Sequence, residues 1–162
     1  MKNERIVGSV NEGNESFFIN DFFSKKLESS ILYIGRDDKE IFDIKNKIKW
    51  FYPEKEILIY RSWNHIPYDN VSPSKEIQSE RIKTLYKLYK SSKSKIVITS
   101  VNAIIQKTVS FDFLKENFIE IYINKKLNFQ NFIHNLILLG YQRTSIVREK
   151  SEFAVRGSII DI

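Results

Sequence analysis

The sequence predicts an α/β fold, a parallel-sheet lobe followed by a small α+β module. Three observations carry that prediction. Short apolar runs at Ile31–Gly35, Ile57–Tyr60 and Lys95–Ser100 alternate with longer segments whose apolar residues recur at helical spacing. Alternation of this kind lays helices over a parallel sheet. Around residue 112 the order changes, and the C-terminal fifty residues read as strand, helix and two strands. The expected division is therefore 1–112 for the first lobe and 113–162 for the module.

Each element has its own local signature. Glu15 to Lys26 places Phe18, Ile19, Phe22 and Phe23 on one helical face. Ile31–Gly35 is a short apolar strand, and Asp37 or Asp38 caps the next helix, whose Ile41, Ile44 and Ile48 keep helical spacing until Pro53. Ile57–Tyr60 is the second strand. Ser72-Pro73 supplies a cap residue before a proline at the first helical position. That helix is expected to run to about Tyr89, with Ile77, Arg81, Leu85 and Leu88 along one stripe and Ile82, Tyr86 and Tyr89 beside it. Residues 91–95 form a loop, Lys95–Ser100 the third strand, and Asn102–Lys107 a short helix. In the module, Phe118–Ile123 reads as a strand and Phe129–Leu139 as a helix capped by Asn128 and stopped by Gly140. Tyr141–Val147 and Phe153–Ile162 read as two strands around a turn at Arg148–Ser151.

Composition narrows the function classes. The 162 residues are 42% hydrophobic and 14% aromatic, enough for a packed core, so a folded chain is expected and not a disordered one. With no Cys, a disulfide framework, a thiol nucleophile and Cys-ligated zinc are excluded too. The net charge of +6 points toward anionic partners, but 26 basic residues are interleaved with 20 acids and form no block. No run approaches the length of a membrane span, and MKNER has no apolar segment behind its charges. The expectation is a monomeric cytoplasmic protein without a membrane association.

Four places carry candidate chemistry. Gly8 and Gly13 have the spacing of a phosphate loop that opens onto a helix, but Asn14 stands where a Lys is needed and Glu15 where a Ser or Thr is needed. A carboxylate there repels phosphate, so no nucleotide, and no cofactor of any kind, is expected. Asp37-Asp38 follows a strand, where open α/β folds place ligands, but capping is the preferred reading. His65 and His134 are the two histidines, with no metal set or nucleophile partner in sequence; structural roles are preferred and no metal or catalytic residue is assigned.

The densest signal is Trp63 to Arg81. Trp63, Pro67, Tyr68, Asp69, Ser72 and Pro73 build a rigid aromatic loop after a strand, since each proline fixes φ near about −65° and Asp favours turns. Packing over the sheet end is preferred over a binding surface, with Arg81 pairing Asp69 to hold the loop. Near the C-terminus, Glu152, Ala154, Arg156 and Ser158 share one strand face, with Phe153, Val155 and Gly157 on the other. Arg156 offers a forked donor to a carboxylate, and Gly157 allows close approach of another backbone. The plainer alternative is an ion pair of Arg156 with Glu149 or Glu152.

These residues resemble a known family. Trp63, Pro67, Tyr68, Asp69, Ser72, Pro73, Ser79, Arg81, Leu85 and Leu88 fill the pattern W-E-x-L-P-Y-D-x-x-S-P, then S-x-R-L-x-x-L, of bacterial transcription-repair coupling factors, with Asn64 departing from the usual acid. Gly140-Tyr141, Glu152 to Gly157 and Ile159-Ile160-Asp161 are similar to a segment that family shares with UvrB. The resemblance implies a degenerate, helicase-like phosphate-loop lobe and a truncated module that docks onto UvrA. The implied contact residues are Glu152, Phe153, Arg156 and Gly157; Ala154 replaces the second arginine of UvrB. It implies a non-enzymatic fragment that recruits UvrA for nucleotide-excision repair at stalled RNA polymerase. RNA polymerase and DNA would be contacted only through a missing C-terminal part, which also holds the ATP-driven motor. Two alternatives stay open: a UvrB-like ATP-dependent helicase-type enzyme, and a stand-alone basic nucleic-acid-binding domain.

Overall fold

Ile96–Ser100 forms the strand around which the first sheet is built, and all five of its residues are buried. A run of Ile, Val and Thr without a polar face suits a central strand covered on both sides. The computed structural model describes residues 8, 10, 11, 13–25, 30–63, 72–91 and 93–162, with the side chains of 22–25 outside that description. Within it, α1 is Glu15–Lys25, β1 Ile31–Gly35, α2 Asp38–Phe51, β2 Ile57–Tyr60, α3 Lys75–Lys90, β3 Ile96–Ser100 and α4 Val101–Ile104. The second part holds α5 Phe111–Glu116, α6 Phe129–Leu138, β4 Gln142–Arg143, β5 Glu152–Arg156 and β6 Ile159–Asp161.

The chain divides into two compact units, Met1–Trp63 with Lys83–Lys107 and Asn64–Ile82 with Thr108–Ile162. The first contains a parallel sheet in the order β1-β3-β2, with Ile31 and Ile57 both level with Ile96. Ile41, Ile44 and Ile48 lie on one stripe of α2 and pack on Ile96 and Ile98, with Ile19 of α1 beside them. Full burial of each such side chain is worth roughly 1.5–3 kcal/mol. Asp37 caps α2 as expected, its carboxylate accepting the Glu40 amide at 2.8 Å. Thr84 of α3 is buried and its hydroxyl donates to the Ile59 carbonyl at 2.7 Å.

The second unit is built on α6 and a small mixed sheet. Phe132, Leu136 and Phe153 form its core, with Ile119, Tyr141, Val155 and Ile160 packed around them. Asn128 caps α6 by accepting the Asn131 amide. At the other end Gly140 adopts φ +86°, the Tyr141 amide reaches the Leu136 carbonyl and the Gly140 amide reaches that of Ile137. This pair of bonds is the Schellman closure, which requires a left-handed residue and so favours glycine.

Several expectations are corrected. Phe118–Ile123 is not a strand: Ile119 reaches the core, but Ile121, Tyr122 and Ile123 are exposed, and Asn124 at φ +65° turns the chain. Apolar alternation makes a strand only where a partner edge is present, and no described strand pairs with it. The segment Tyr141–Val147 pairs over only two residues, and it runs parallel to β5. Phe153–Ile162 is not one strand but an antiparallel hairpin, β5 and β6, turning at Gly157-Ser158. The cap of α3 is Ser74 and not Ser72: its hydroxyl accepts the Ile77 amide, while the Gln78 side chain donates to the Pro73 carbonyl. The buried stripe of α3 is Ile77, Arg81 and Thr84, whereas Leu88 is exposed. Phe18 is likewise half exposed, and Phe22 and Phe23 lie outside the described side chains. The short helix expected at Asn102–Lys107 is the single turn α4, and α5 is a helix the apolar pattern did not announce, capped by Ser110.

Candidate functional site

Gly157 adopts φ +60° and Ser158 does not, the arrangement of a tight two-residue hairpin with glycine first. The turn fixes register: Arg156 lies opposite Ile159 and Ala154 opposite Asp161. Phe153, Val155 and Ile160 face the core. Alternation then places Arg156, Ile159 and Asp161 together on the outer face. Arg156 is 63% exposed at its side chain, and its Nη2 stands 3.1 Å from Asp161 Oδ2 in an ion pair. The ion pair thus forms with Asp161, not with Glu149 or Glu152. A cation and an exposed isoleucine side by side on a rigid hairpin suit recognition of a carboxylate next to an apolar contact.

The remaining expected contact residues have structural work within this unit. Phe153 is fully buried in the core. The Glu152 carboxylate accepts the amides of Arg148 at 2.8 Å and Glu149 at 3.1 Å, and these two bonds hold its pKa below the ordinary carboxylate value. It closes the loop that leads into β5. That loop also meets the first turn of α3 through two exposed pairs, Lys75 with Glu149 and Glu76 with Lys150. The second unit contains a hollow of about 460 Å³ lined largely by apolar side chains, among them Ile82, Leu114, Ile119, Phe132, Leu136 and Tyr141.

At the glycine loop, the Gly13 amide donates to Glu15 Oε2 at 2.8 Å. The carboxylate takes the amide a phosphate would need. Asn14 carries its peptide into the first turn of α1, its carbonyl accepting the Phe17 amide. Lys47 of α2 lies beside Gly13, its Nζ 3.6 Å from where a Cβ would stand. Gly8 lies at an exposed position outside any element.

Asp38 sits beyond the carboxyl ends of the parallel strands. Its Oδ1 accepts the Ser62 amide at 3.3 Å and the hydroxyls of Ser62 at 3.0 Å and Ser100 at 2.9 Å. Arg61 stands 3.7 Å from its other oxygen and 5.3 Å over the Phe42 ring. Asp38 therefore ties α2 to the ends of β2 and β3. Sequence weighed it only as a cap or a ligand, and nothing local to its position announces those serines.

Trp63 is half-buried at the end of this segment, its amide donating to the Gln106 side chain at 3.0 Å. Pro67, Tyr68 and Asp69 lie outside the described residues, as does His65. Ser72 is exposed and Pro73 half-buried, while Arg81 is only 2% exposed. A guanidinium so enclosed is a structural charge and not a docking one. His134 is on the solvent face of α6. Among the described residues no three His, Cys, Asp or Glu side chains gather in a way that holds a metal, and no helix is long and apolar enough to cross a membrane.

The hairpin's turn was legible in principle: Gly-Ser between two alternating segments is a two-residue turn signal. Ile159 and Asp161 become candidate site residues only through it.

Comparison with known proteins bears on the same segment. Residues 119–162 match the UvrB interaction domain. Over 146 residues, 90% of the chain, the sequence is 31% identical to the transcription-repair-coupling factor of Rickettsia prowazekii. It is 30% identical to that of Borreliella burgdorferi over 155 residues, 93% of the chain. For the Escherichia coli protein the identity is 26% over 132 residues, 82% of the chain. The chain spans about 13% of the length of the first two relatives and 11% of the third, in their N-terminal region.

Proposed function

The chain is homologous to the N-terminal region of transcription-repair-coupling factors, and we propose that it is a docking module that recruits UvrA for nucleotide-excision repair at stalled RNA polymerase. The observation that carries this reading is Arg156, held on the outer face of a rigid hairpin inside the segment that matches the UvrB interaction domain. Its forked donors suit an acidic patch on the partner. Gly157 keeps the turn low, so a partner backbone can approach the hairpin tip. Glu152 and Phe153 serve the same contact from behind, one closing the preceding loop and the other anchoring β5 in the core.

In this reading the first unit is a degenerate phosphate-loop lobe that acts as a scaffold. The Glu15 carboxylate on the Gly13 amide supports that view and speaks against a UvrB-like ATP-dependent enzyme. The module acts as a monomer in the cytoplasm. Contacts with RNA polymerase and DNA, and the ATP-driven motor, belong to the far longer remainder of such proteins.

The test is binding of this chain to purified UvrA by calorimetry. Arg156→Ala is expected to weaken binding by about 2 kcal/mol, as for an interface anchor. Arg156→Lys is expected to weaken it as well, because a point charge does not replace a fork. Absence of binding by the wild type overturns the reading, and equal affinity for wild type and Arg156→Ala, with circular dichroism unchanged, removes Arg156 from the contact.

A further inference from the structure

Two residues share the exposed face of Arg156. Ile159 lies directly opposite it across the hairpin and is 64% exposed, although an isoleucine gains from burial. Asp161 is on the same face, and its carboxylate forms an ion pair with the Arg156 guanidinium at 3.1 Å. The core-facing neighbours Phe153, Val155 and Ile160 are all packed, so the exposure of Ile159 is set by the strand's alternation and not by a loose hairpin.

Resting on the docking reading, we infer that Ile159 and Asp161 set the affinity of this face with opposite signs. Ile159 is its apolar anchor. A half-exposed aliphatic side chain beside a cation, on a hairpin fixed by its turn, is ordered before binding and loses little entropy when covered. Asp161 is an internal competitor. It neutralises Arg156 in the free protein, and in the complex it stands close to any partner carboxylate that reaches the same guanidinium. Both partners of the pair are substantially exposed, so it is weak and readily displaced. The partner surface implied is a carboxylate flanked by an apolar recess. The fully buried Ala154, opposite Asp161, offers no side-chain contact of its own.

Calorimetric titration of UvrA with wild type, Ile159→Ser, Asp161→Asn and Arg156→Ala tests this, each variant first checked by thermal melting. Ile159→Ser is expected to weaken binding about tenfold or more, as loss of an anchor does. Asp161→Asn, isosteric and uncharged, is expected to tighten it roughly two- to fivefold, the range of an exposed ion pair. It should also steepen the fall of affinity with salt, since one attractive charge is no longer masked. A merely structural role for these residues moves both variants downward. If Arg156→Ala weakens binding but Asp161→Asn does not tighten it, the competitor role is wrong and the docking reading stands. If Ile159→Ser binds like wild type, the anchor role is wrong. If wild type binds UvrA no better than Arg156→Ala, the contact lies elsewhere and this inference fails while docking stands; if wild type fails to bind UvrA, the docking reading fails and this inference with it.

Discussion

The Glu15 carboxylate accepts the Gly13 amide at 2.8 Å, two residues back along the chain. A phosphate approaching this turn meets a negative charge already seated on the donor it needs. Asn14 supplies no compensating cation. Magnesium-ATP at millimolar concentration is accordingly expected to show no binding in equilibrium dialysis. Micromolar affinity would end the scaffold interpretation of the first unit.

Asp38 gathers three hydrogen bonds from Ser62 and Ser100 onto one oxygen. Asp38→Ala leaves the fully buried Ser100 hydroxyl without this acceptor. The expected loss is about 1–3 kcal/mol, the penalty for a stranded buried polar group. Ser100→Ala removes only one of the donors and is expected to cost less. Urea unfolding monitored by circular dichroism gives both values, and an unchanged midpoint for Asp38→Ala refutes the latch.

Gly140 at φ +86° has open space where a Cβ would stand. Gly140→Ala therefore isolates backbone strain from steric clash. It is expected to destabilise by roughly 1–2 kcal/mol, the left-handed penalty for an L-residue. The denaturant midpoint reads this directly. A neutral result would mean that the end of α6 relaxes without loss.

Glu40 titrates against competing influences. Burial alone would raise its pKa, but bonds from the Arg36 side chain, the Tyr33 hydroxyl and the Arg36 amide outweigh it and leave the value below 4.5. Its stabilisation is therefore complete above about pH 4.5 and is lost as the pH falls through the lower folded value. Tyr33 runs the other way: burial first, then the bond to Glu40, raises its pKa above the ordinary 10.0. Its contribution is present below pH 10 and lost as the pH rises further. Glu40→Gln should flatten the acid limb of melting temperature against pH. An unchanged acid limb would mean that another carboxylate governs it.

Local periodicity by itself determined much of the first unit. Ile41, Ile44 and Ile48 repeat at the helical period, and Ile57–Tyr60 and Ile96–Ser100 are short Ile-rich runs that each follow a charged residue, so each states its own conformation. Asp37, Asn128 and Gly140 ended or began helices where they were expected to, because capping depends on atoms three or four residues away. Arg156 was placed on the outer face for the same reason, since a strand's alternation is local.

Tertiary structure decided what depends on residues distant in the chain. Phe118–Ile123 has the pattern of a strand but no described edge to pair with, and strand formation is a property of two segments. Asp38 meets Ser100 across 62 positions, and Thr84 meets the Ile59 carbonyl across 25. Asp161 meets Arg156 only because a two-residue turn at Gly157 folds one apparent strand into two. Hydrogen bonds and ion pairs act over a few ångströms of space, whatever the separation in sequence, so such partners became identifiable only when the fold brought them together.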